Sequence, residues 1–412
     1  FLFLFAFYQF KINYIKKITY MPYFSFSLKK NYDISSFKNL NLDISQFKPN
    51  TKYFSKNTKL WKLLSNEKNN YKFVNFINKE KRKRIKKIEN SILFCLPPSI
   101  GLGDSVEYGL SIKSIIESKN FSIVGVAFVG KYKLVLEKYF NINNIYDEII
   151  DENEILSYKT VFHFTLEIKE LFFQKYKRQN IEKILNEYFN VPFYRRINMH
   201  NKRVTKISIF PISKSPIRTM TIDLLNYLIE NLHDKYEIEV ILDNNSKISD
   251  YLSSKFDFKK CNVLEPDNLS TFLKVIENIE YGVFMDSGPL HIAKILSKKG
   301  VLISSSVSSD VLLHKFSTIN PILNNYKSEY CMSPCGLVNI FNYNQKIGCY
   351  DSIKINKNKI FKLTNLKSLQ RGGLKENYIN LISNPVNCLK NINKENVYNK
   401  IINDLNNIKS MK

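Results

Sequence analysis

The chain is poor in several residue types. Its 412 residues include 12 Gly, 12 Pro, 6 Cys and one Trp. Glycine and proline together reach about half their usual share, which excludes collagen-like and low-complexity linker architectures. The cysteines (Cys95, Cys261, Cys331, Cys335, Cys349 and Cys388) are too sparse over this length for a secreted disulfide framework. No apolar run approaches the ~20 residues needed to span a bilayer. The opening Phe1–Tyr8 stretch falls short of that. It has no basic segment before it and no small-residue cleavage site after it, so it does not read as a signal peptide. The first methionine is Met21. The expectation is a cytoplasmic body. Acidic residues are outnumbered, 37 Asp+Glu against 62 Lys+Arg, and there is no Asp-x-Asp motif of the kind that holds a divalent metal.

Hydrophobic residues make up 44% of the chain, ample for a core and far from a disordered composition. At roughly 150 residues per domain, the length allows two or three domains. The net charge of +25 is unevenly placed. Residues 1–90 hold 20 basic and 5 acidic residues, residues 91–350 hold 30 and 28, and residues 351–412 hold 12 and 4. A near-neutral body thus lies between two basic flanks. Of the basic residues 54 are Lys. Lys, Asn, Ile, Tyr and Phe, all abundant here, share AT-rich codons, so part of the charge needs no partner to explain it. The densest stretch, 79–89 (KEKRKRIKKIE), suits anionic lipid or nucleic acid phosphates, although a solvated helix face explains it as simply. No nucleic-acid-binding motif accompanies it.

The segment 1–90 reads as a basic, aromatic-rich, partly helical extension. From residue 91 the texture changes. Ser91–Leu96 is a short apolar run of strand length, ended by Pro97 and Pro98. Gly101-Leu102-Gly103-Asp104 follows, then an amphipathic helix over 105–118 and a second buried strand over 123–129. Strand, glycine turn, helix, strand is a βαβ unit and implies a parallel sheet. A short strand over Ile145–Ile150 and a helix over 166–190 complete this half. A second alternating series starts near residue 200. Strands are expected at 206–211, 238–242, 281–285 and 301–303, and helices at 221–232, 269–279 and 290–296. The expected division is an extension (1–90), a first Rossmann-like domain (91–200), a second (201–350) and a helical tail (351–412).

Two turns sit where strands deliver the chain to helices, the usual position of ligands in such sheets. In the first, Gly101 and Gly103 let the backbone pass close to a ligand or a phosphate. Asp104 there is either an N-cap carboxylate or a general base. In the second, Asp286-Ser287-Gly288-Pro289-Leu290-His291 offers the N–H groups of a helix N-terminus to an anion such as a diphosphate. Pro289 is tolerated because first-turn N–H groups have no helical partner. His291, one turn in, is placed to reach a phosphate or a sugar hydroxyl, or else is a surface histidine on a well-capped helix. Cys331, Cys335, Cys349 and Cys388 are candidate zinc thiolates, but their spacing is irregular. His163, His200, His233 and His314 read as structural, Trp61 as core, and Arg195, Arg196 and Arg203 as a solvated linker face.

These motifs carry a resemblance. Residues 91–150 and 204–315 resemble glycosyltransferase family 9, the ADP-heptose:lipopolysaccharide heptosyltransferases and their relatives. The strand, Gly-x-Gly-Asp and helix at 92–116 look like the family's opening. Asp286-Ser287-Gly288-Pro289-Leu290-His291-Ile292-Ala293 is similar to its most recognisable signature. Cys388-Leu389, Ile392 and Glu395-Asn396-Val397 look like its closing pattern.

The resemblance implies an α/β chain of GT-B type, two Rossmann-like doubly wound domains facing a cleft. It implies a heptose-like sugar passed from a nucleotide-sugar to a lipid-linked or cell-envelope glycan, as in lipopolysaccharide biosynthesis, with inversion and without a metal or other cofactor. Asp104 matches the family's base. Phe210-Pro211 matches the loop facing the donor phosphates, with Arg218 preferred over Lys214 as the basic residue that follows and Met220 standing where the family has Trp. Asp286, Ser287, Gly288 and His291 match the donor-binding turn. The sequence departs from the family at Asp243-Asn244-Asn245-Ser246, where glycines and an acidic residue are usual. Two neighbouring readings keep this fold: a nucleotide-sugar epimerase, and a lapsed sugar-nucleotide-binding protein. The basic flanks fit peripheral contact with an anionic membrane better than they fit nucleic acid.

Overall fold

The computed structural model describes residues 23–28, 47–48, 51–55, 57, 59–60, 63–64, 71–74, 88–97, 100–147, 149–164, 180–194, 203–244, 246–328, 331–337, 341–342, 347–349 and 375–410. The basic stretch 79–87, Trp61, Arg195, Arg196, His200 and most of the expected 166–190 helix lie outside them. The chain divides into two units. The first comprises residues 1–101, 108–171 and 186–194. The second comprises 102–107, 172–185 and 195–412.

The first unit holds two sheets. One is parallel, built from β4 (Ile88–Cys95), β5 (Ile123–Ala127), β6 (Ile145–Tyr146) and β8 (Tyr158–His163) in the order β6-β5-β4-β8. Its earliest strand is central, and Leu93, Cys95 and Ala127 are fully buried there. The other sheet is antiparallel: β3 (Tyr71–Val74), β1 (Tyr23–Ser27), β2 (Lys52–Ser55) and β7 (Ile149–Asp151), in that order. The extension has helical residues at 59–60 and 63–64 and also supplies strands that were not expected. Three strands of this sheet come from residues 23–74, and β2 pairs with β7 through Phe54↔Ile150. Phe26 and Tyr53, opposite each other on β1 and β2, are both buried with a ring separation of 5.7 Å, and Phe54 on the other face of β2 is buried too.

The second unit holds a six-stranded parallel sheet. Its strands are β9 (Lys206–Phe210), β10 (Glu237–Ile241), β11 (Asn262–Leu264), β12 (Tyr281–Phe284), β13 (Lys299–Ile303) and β14 (Ile319–Ile322). They run in the order β11-β10-β9-β12-β13-β14. This is the 3-2-1-4-5-6 order of the dinucleotide-binding fold, whose direction reverses between its first and fourth strands. Here that switch point falls between β9 and β12, which pair directly with Phe284 opposite Phe210. The two rings stack at 5.1 Å. Strands and helices expected from the alternating pattern are present. The three-residue β11 and the Pro321-bearing edge strand β14 were not expected. A strand this short gives no periodicity to read, and proline is tolerated in a sheet mainly at its edge.

After residue 100 the helices are α1 (Leu102–Glu117), α2 (Lys133–Phe140), α3 (Glu152–Ser157) and α4 (Ile181–Phe189). Then come α5 (Ile222–Leu232), α6 (Lys247–Lys255), α7 (Leu269–Asn278), α8 (Gly288–Ile295) and α9 (Ser309–Leu312). The tail supplies α10 (Lys375–Ser383), α11 (Asn387–Lys390) and α12 (Lys394–Ser410). None is long and apolar enough to cross a membrane. The tail is not a separate appendage. Val397, Ile401 and Leu405 of α12 are buried in one cluster with Leu228 and Val301. The hydroxyl of Tyr281 on β12 also donates to Asp404 at 2.7 Å. Leu405→Ala is therefore expected to destabilise the protein by about 2–5 kcal/mol, the range for a buried leucine truncation, as read by urea unfolding.

Candidate functional site

At the carboxyl end of β9, the chain enters a loop that its own side chains close. Met220 N donates to Pro211 O at 2.8 Å. Thr219 Oγ1 accepts from Ser213 N at 3.2 Å and donates to Ser215 O at 3.0 Å. This bracing presents Arg218 toward the end of β12. Its Nη1 lies 3.0 Å from Asp286 Oδ1 and 2.8 Å from the Asp286 carbonyl. Asp286 is 2% exposed, while Arg218 keeps partial exposure and its Nε makes no hydrogen bond. Asp286 thus holds Arg218 at the end of β12. Between the two basic candidates, Arg218 is the one joined to the turn, and Lys214 is exposed on the loop.

Four other helices that follow strands of this sheet are capped by a side chain. Thr221, Ser246, Asn268 and Ser308 each accept from a first-turn N–H of α5, α6, α7 and α9. Ser287, the N-cap of α8, makes no such bond, and its hydroxyl turns to Met285 O at 3.4 Å. A residue well suited to capping is directed elsewhere, and the α8 terminus keeps its positive end uncovered by a side chain. Pro289 occupies the first turn, as expected.

The two turns expected from the sequence come together within the second unit, to which residues 102–107 belong. A Cβ on Gly103 would stand 2.9 Å from His291 Nε2, and one on Gly288 would stand 2.9 Å from Leu102 Cβ. Both glycines are therefore needed for the close approach of α1 to α8. Gly101 immediately precedes α1 and is half-buried. Asp104 is the third residue of α1, inside its first turn instead of at its cap, and is half-exposed.

His291 is 4% exposed, so it is not the surface histidine of the alternative reading. Its Nδ1 lies 3.0 Å from Glu107 Oε1. The same carboxylate receives Lys294 Nζ, and its Oε2 accepts from Asn180 Nδ2 at 2.9 Å. Lys294, fully buried, also donates to Leu312 O at 2.8 Å and lies 5.2 Å from the Phe316 ring centre. Burial pushes the Glu107 carboxyl up, but Lys294 and His291 outweigh it and hold the carboxyl well below the usual carboxylate range. Burial, with help from Lys294, pushes the His291 imidazole down, against the opposing pull of Glu107. Glu107, Lys294 and Asn180 were not singled out from the sequence. The available signal was a single charge embedded in an apolar run, Glu107 beside Val106 and Lys294 beside Ala293 and Ile295.

Among the described residues no group of three or more His, Cys, Asp or Glu side chains is arranged to hold a metal ion. No protein-family model and no curated protein matches the chain. Several solved structures are similar to it. The ADP-heptose LPS heptosyltransferase II of E. coli is 15% identical with a TM-score of 0.40, covering 56% of this chain and 90% of that one. The iron-containing dodecameric glycosyltransferase TibC of enterotoxigenic E. coli is 12% identical with a TM-score of 0.47, covering 80% and 81%. A family 9 glycosyl transferase of Veillonella parvula is 11% identical with a TM-score of 0.46, covering 78% and 99%. The chemistry is read from this chain's own residues.

Both pKa shifts have the same consequence for stability. A carboxylate and an imidazole that bind protons less readily when folded contribute stability at neutral pH. That contribution is lost as pH falls, first below the ordinary histidine value near ~6.5 and then below the ordinary carboxylate value near ~4.3. The unfolding free energy is expected to fall between pH 7 and 4, and to fall less steeply in His291→Gln, as measured by urea titration at stepped pH. Lys294→Met, which strands a buried carboxylate, should cost about 3–5 kcal/mol.

Proposed function

We propose that the protein is a glycosyltransferase that takes a sugar from a nucleotide-sugar and passes it to a hydroxyl of a lipid-linked or cell-envelope glycan, with inversion at the anomeric carbon. The observation that carries this reading is the switch point of the second sheet. A braced arginine and an uncapped helix terminus meet there, beside a turn that carries a half-exposed carboxylate. A nucleotide-sugar brings its own leaving group, so no nucleophilic side chain is required. The protein's tasks are to hold the diphosphate, orient the acceptor and take one proton.

In this reading Asp104 accepts the proton of the acceptor hydroxyl as its oxygen bonds to the anomeric carbon. The bond to the nucleoside diphosphate breaks on the opposite face and its electron pair leaves with the diphosphate. Arg218 and the first-turn N–H groups of α8, with Ser287 and Gly288 at its start, offset the charge that develops there. Asp286 acts one step back, by fixing Arg218. Arg218 and the helix N–H groups together supply positive potential for the leaving diphosphate, and the proposed transfer uses no divalent metal. The basic flanks would hold the enzyme at the cytoplasmic face of an anionic membrane.

The test uses a panel of ADP- and UDP-sugars with thermal unfolding as the readout. At least one should raise the melting temperature in the presence of a chelator, and protection by none would refute the reading. Arg218→Ala should weaken that binding about tenfold or more, the weight of a charge-assisted hydrogen bond. Asp104→Asn should leave donor binding intact and slow transfer by about 10²–10⁴, the usual share of a general base.

A further inference from the structure

The carboxylate of Glu107 does more than neutralise Lys294. An ionised carboxylate can only accept hydrogen bonds. Its Oε1 lies 3.0 Å from His291 Nδ1, within hydrogen-bond distance. Nδ1 must therefore carry the proton. The carboxylate is itself fixed, by Lys294 on one oxygen and by Asn180 on the other, and Asn180 is in turn anchored to Val311 O at 2.8 Å. The imidazole thus cannot satisfy Glu107 in the other tautomer.

The opposite nitrogen faces Gly103. A Cβ there would stand 2.9 Å from Nε2, so the backbone at the start of α1 runs close beside this atom with no side chain between them. The neighbouring residue is the half-exposed Asp104. Burial and the nearby Lys294 ammonium keep the ring neutral, and a neutral ring protonated at Nδ1 has a lone pair at Nε2.

We infer that Glu107 is a positioning residue that locks His291 as the neutral Nδ1–H tautomer, so that Nε2 meets the ligand only as a hydrogen-bond acceptor and receives a hydroxyl of the nucleotide-sugar, not a phosphate oxygen. A diphosphate oxygen has no proton to give at neutral pH and would be repelled by the Nε2 lone pair. The ligand half of this inference rests on the nucleotide-sugar reading above, whereas the tautomer half does not. It divides the labour of the Asp286–His291 turn. The helix terminus and Arg218 take the anion, and His291, one turn further in, takes a neutral hydroxyl.

The experiment is nitrogen NMR of the full chain labelled at the histidine ring nitrogens. The His291 signals are identified by their loss in His291→Asn. In the free protein at neutral pH, Nδ1 should appear as a protonated nitrogen and Nε2 as an unprotonated one. The reverse pattern, or an imidazolium, would overturn the inference. Glu107→Leu combined with Lys294→Met replaces the ion pair by apolar groups of similar size, a change that folded proteins commonly accept. In that variant the fixed Nδ1–H pattern should be lost, and its persistence would show that Glu107 does not set it.

The ligand half is read on adding ADP, UDP, ADP-glucose and UDP-glucose. Binding should leave Nε2 unprotonated and displace its resonance. Displacement by a nucleoside diphosphate alone assigns the hydroxyl to the ribose, and displacement only by the nucleotide-sugar assigns it to the sugar. Binding that protonates Nε2, or leaves its resonance unmoved, overturns this half. If none of the four binds, the glycosyltransferase reading and the ligand half fall together. The tautomer is still decided by the free-protein spectra.

Discussion

The second unit depends on one buried carboxylate. Glu107 sits on α1, a helix whose first six residues pack with that unit, and it gathers Lys294, His291 and Asn180 from elsewhere in the chain. Taking an ammonium and a carboxylate out of water is costly, and the attraction between them offsets that cost only when the geometry is good and the remaining polar atoms are satisfied. Here they are. The lysine has a backbone carbonyl as well as the carboxylate, and the carboxylate has donors on both oxygens. An apolar contact in the same place would hold α1 against α8 with less regard to register. The charged one admits a single alignment, with Gly103 against the His291 ring and Gly288 against Leu102.

The same alignment explains why two separate parts of the sequence act as one place. Arg218 reaches Asp286 from a loop that closes on itself through Thr219 and Met220, so its position is set by short-range bonds before any ligand is present. His291 is set by Glu107. Arg218 and His291 are each held by a buried acid, Asp286 for one and Glu107 for the other. Pre-set polarity of this kind is what a transfer reaction with a ready leaving group asks of its protein.

Much of this was legible in the residues and some was not. The alternation of apolar runs and amphipathic stretches gave the central strands of both parallel sheets, because buried parallel strands read as continuous Val, Ile and Leu runs, while β8, β11 and β14 were not expected. The two turns stood out because glycine is scarce and each had a local reason to be there. What the turns do was harder to read. Gly103 and Gly288 mark close helix packing, and a sequence does not say whether a missing side chain makes room for a ligand or for another helix. Glu107 and Lys294 are 187 residues apart, and nothing in either local pattern names the other. The antiparallel sheet of the first unit was missed because its strands are three to five residues long, and β1, β2 and β3 are set among lysines and asparagines.

That antiparallel sheet has a practical side. A basic N-terminal segment invites removal when a catalytic body is prepared for study, and residue 91 would be the natural place to cut. The cut would take β1, β2 and β3 and leave β7 without the neighbour it pairs with through Tyr53, Phe54 and Ser55. It would also uncover the fully buried Ile150 and Ile155, which pack against Phe54. An exposed strand edge beside bare apolar side chains is a template for association between chains. The shortened protein would be expected to fail by sticking to itself, and loss of activity in it would say nothing about where the chemistry resides.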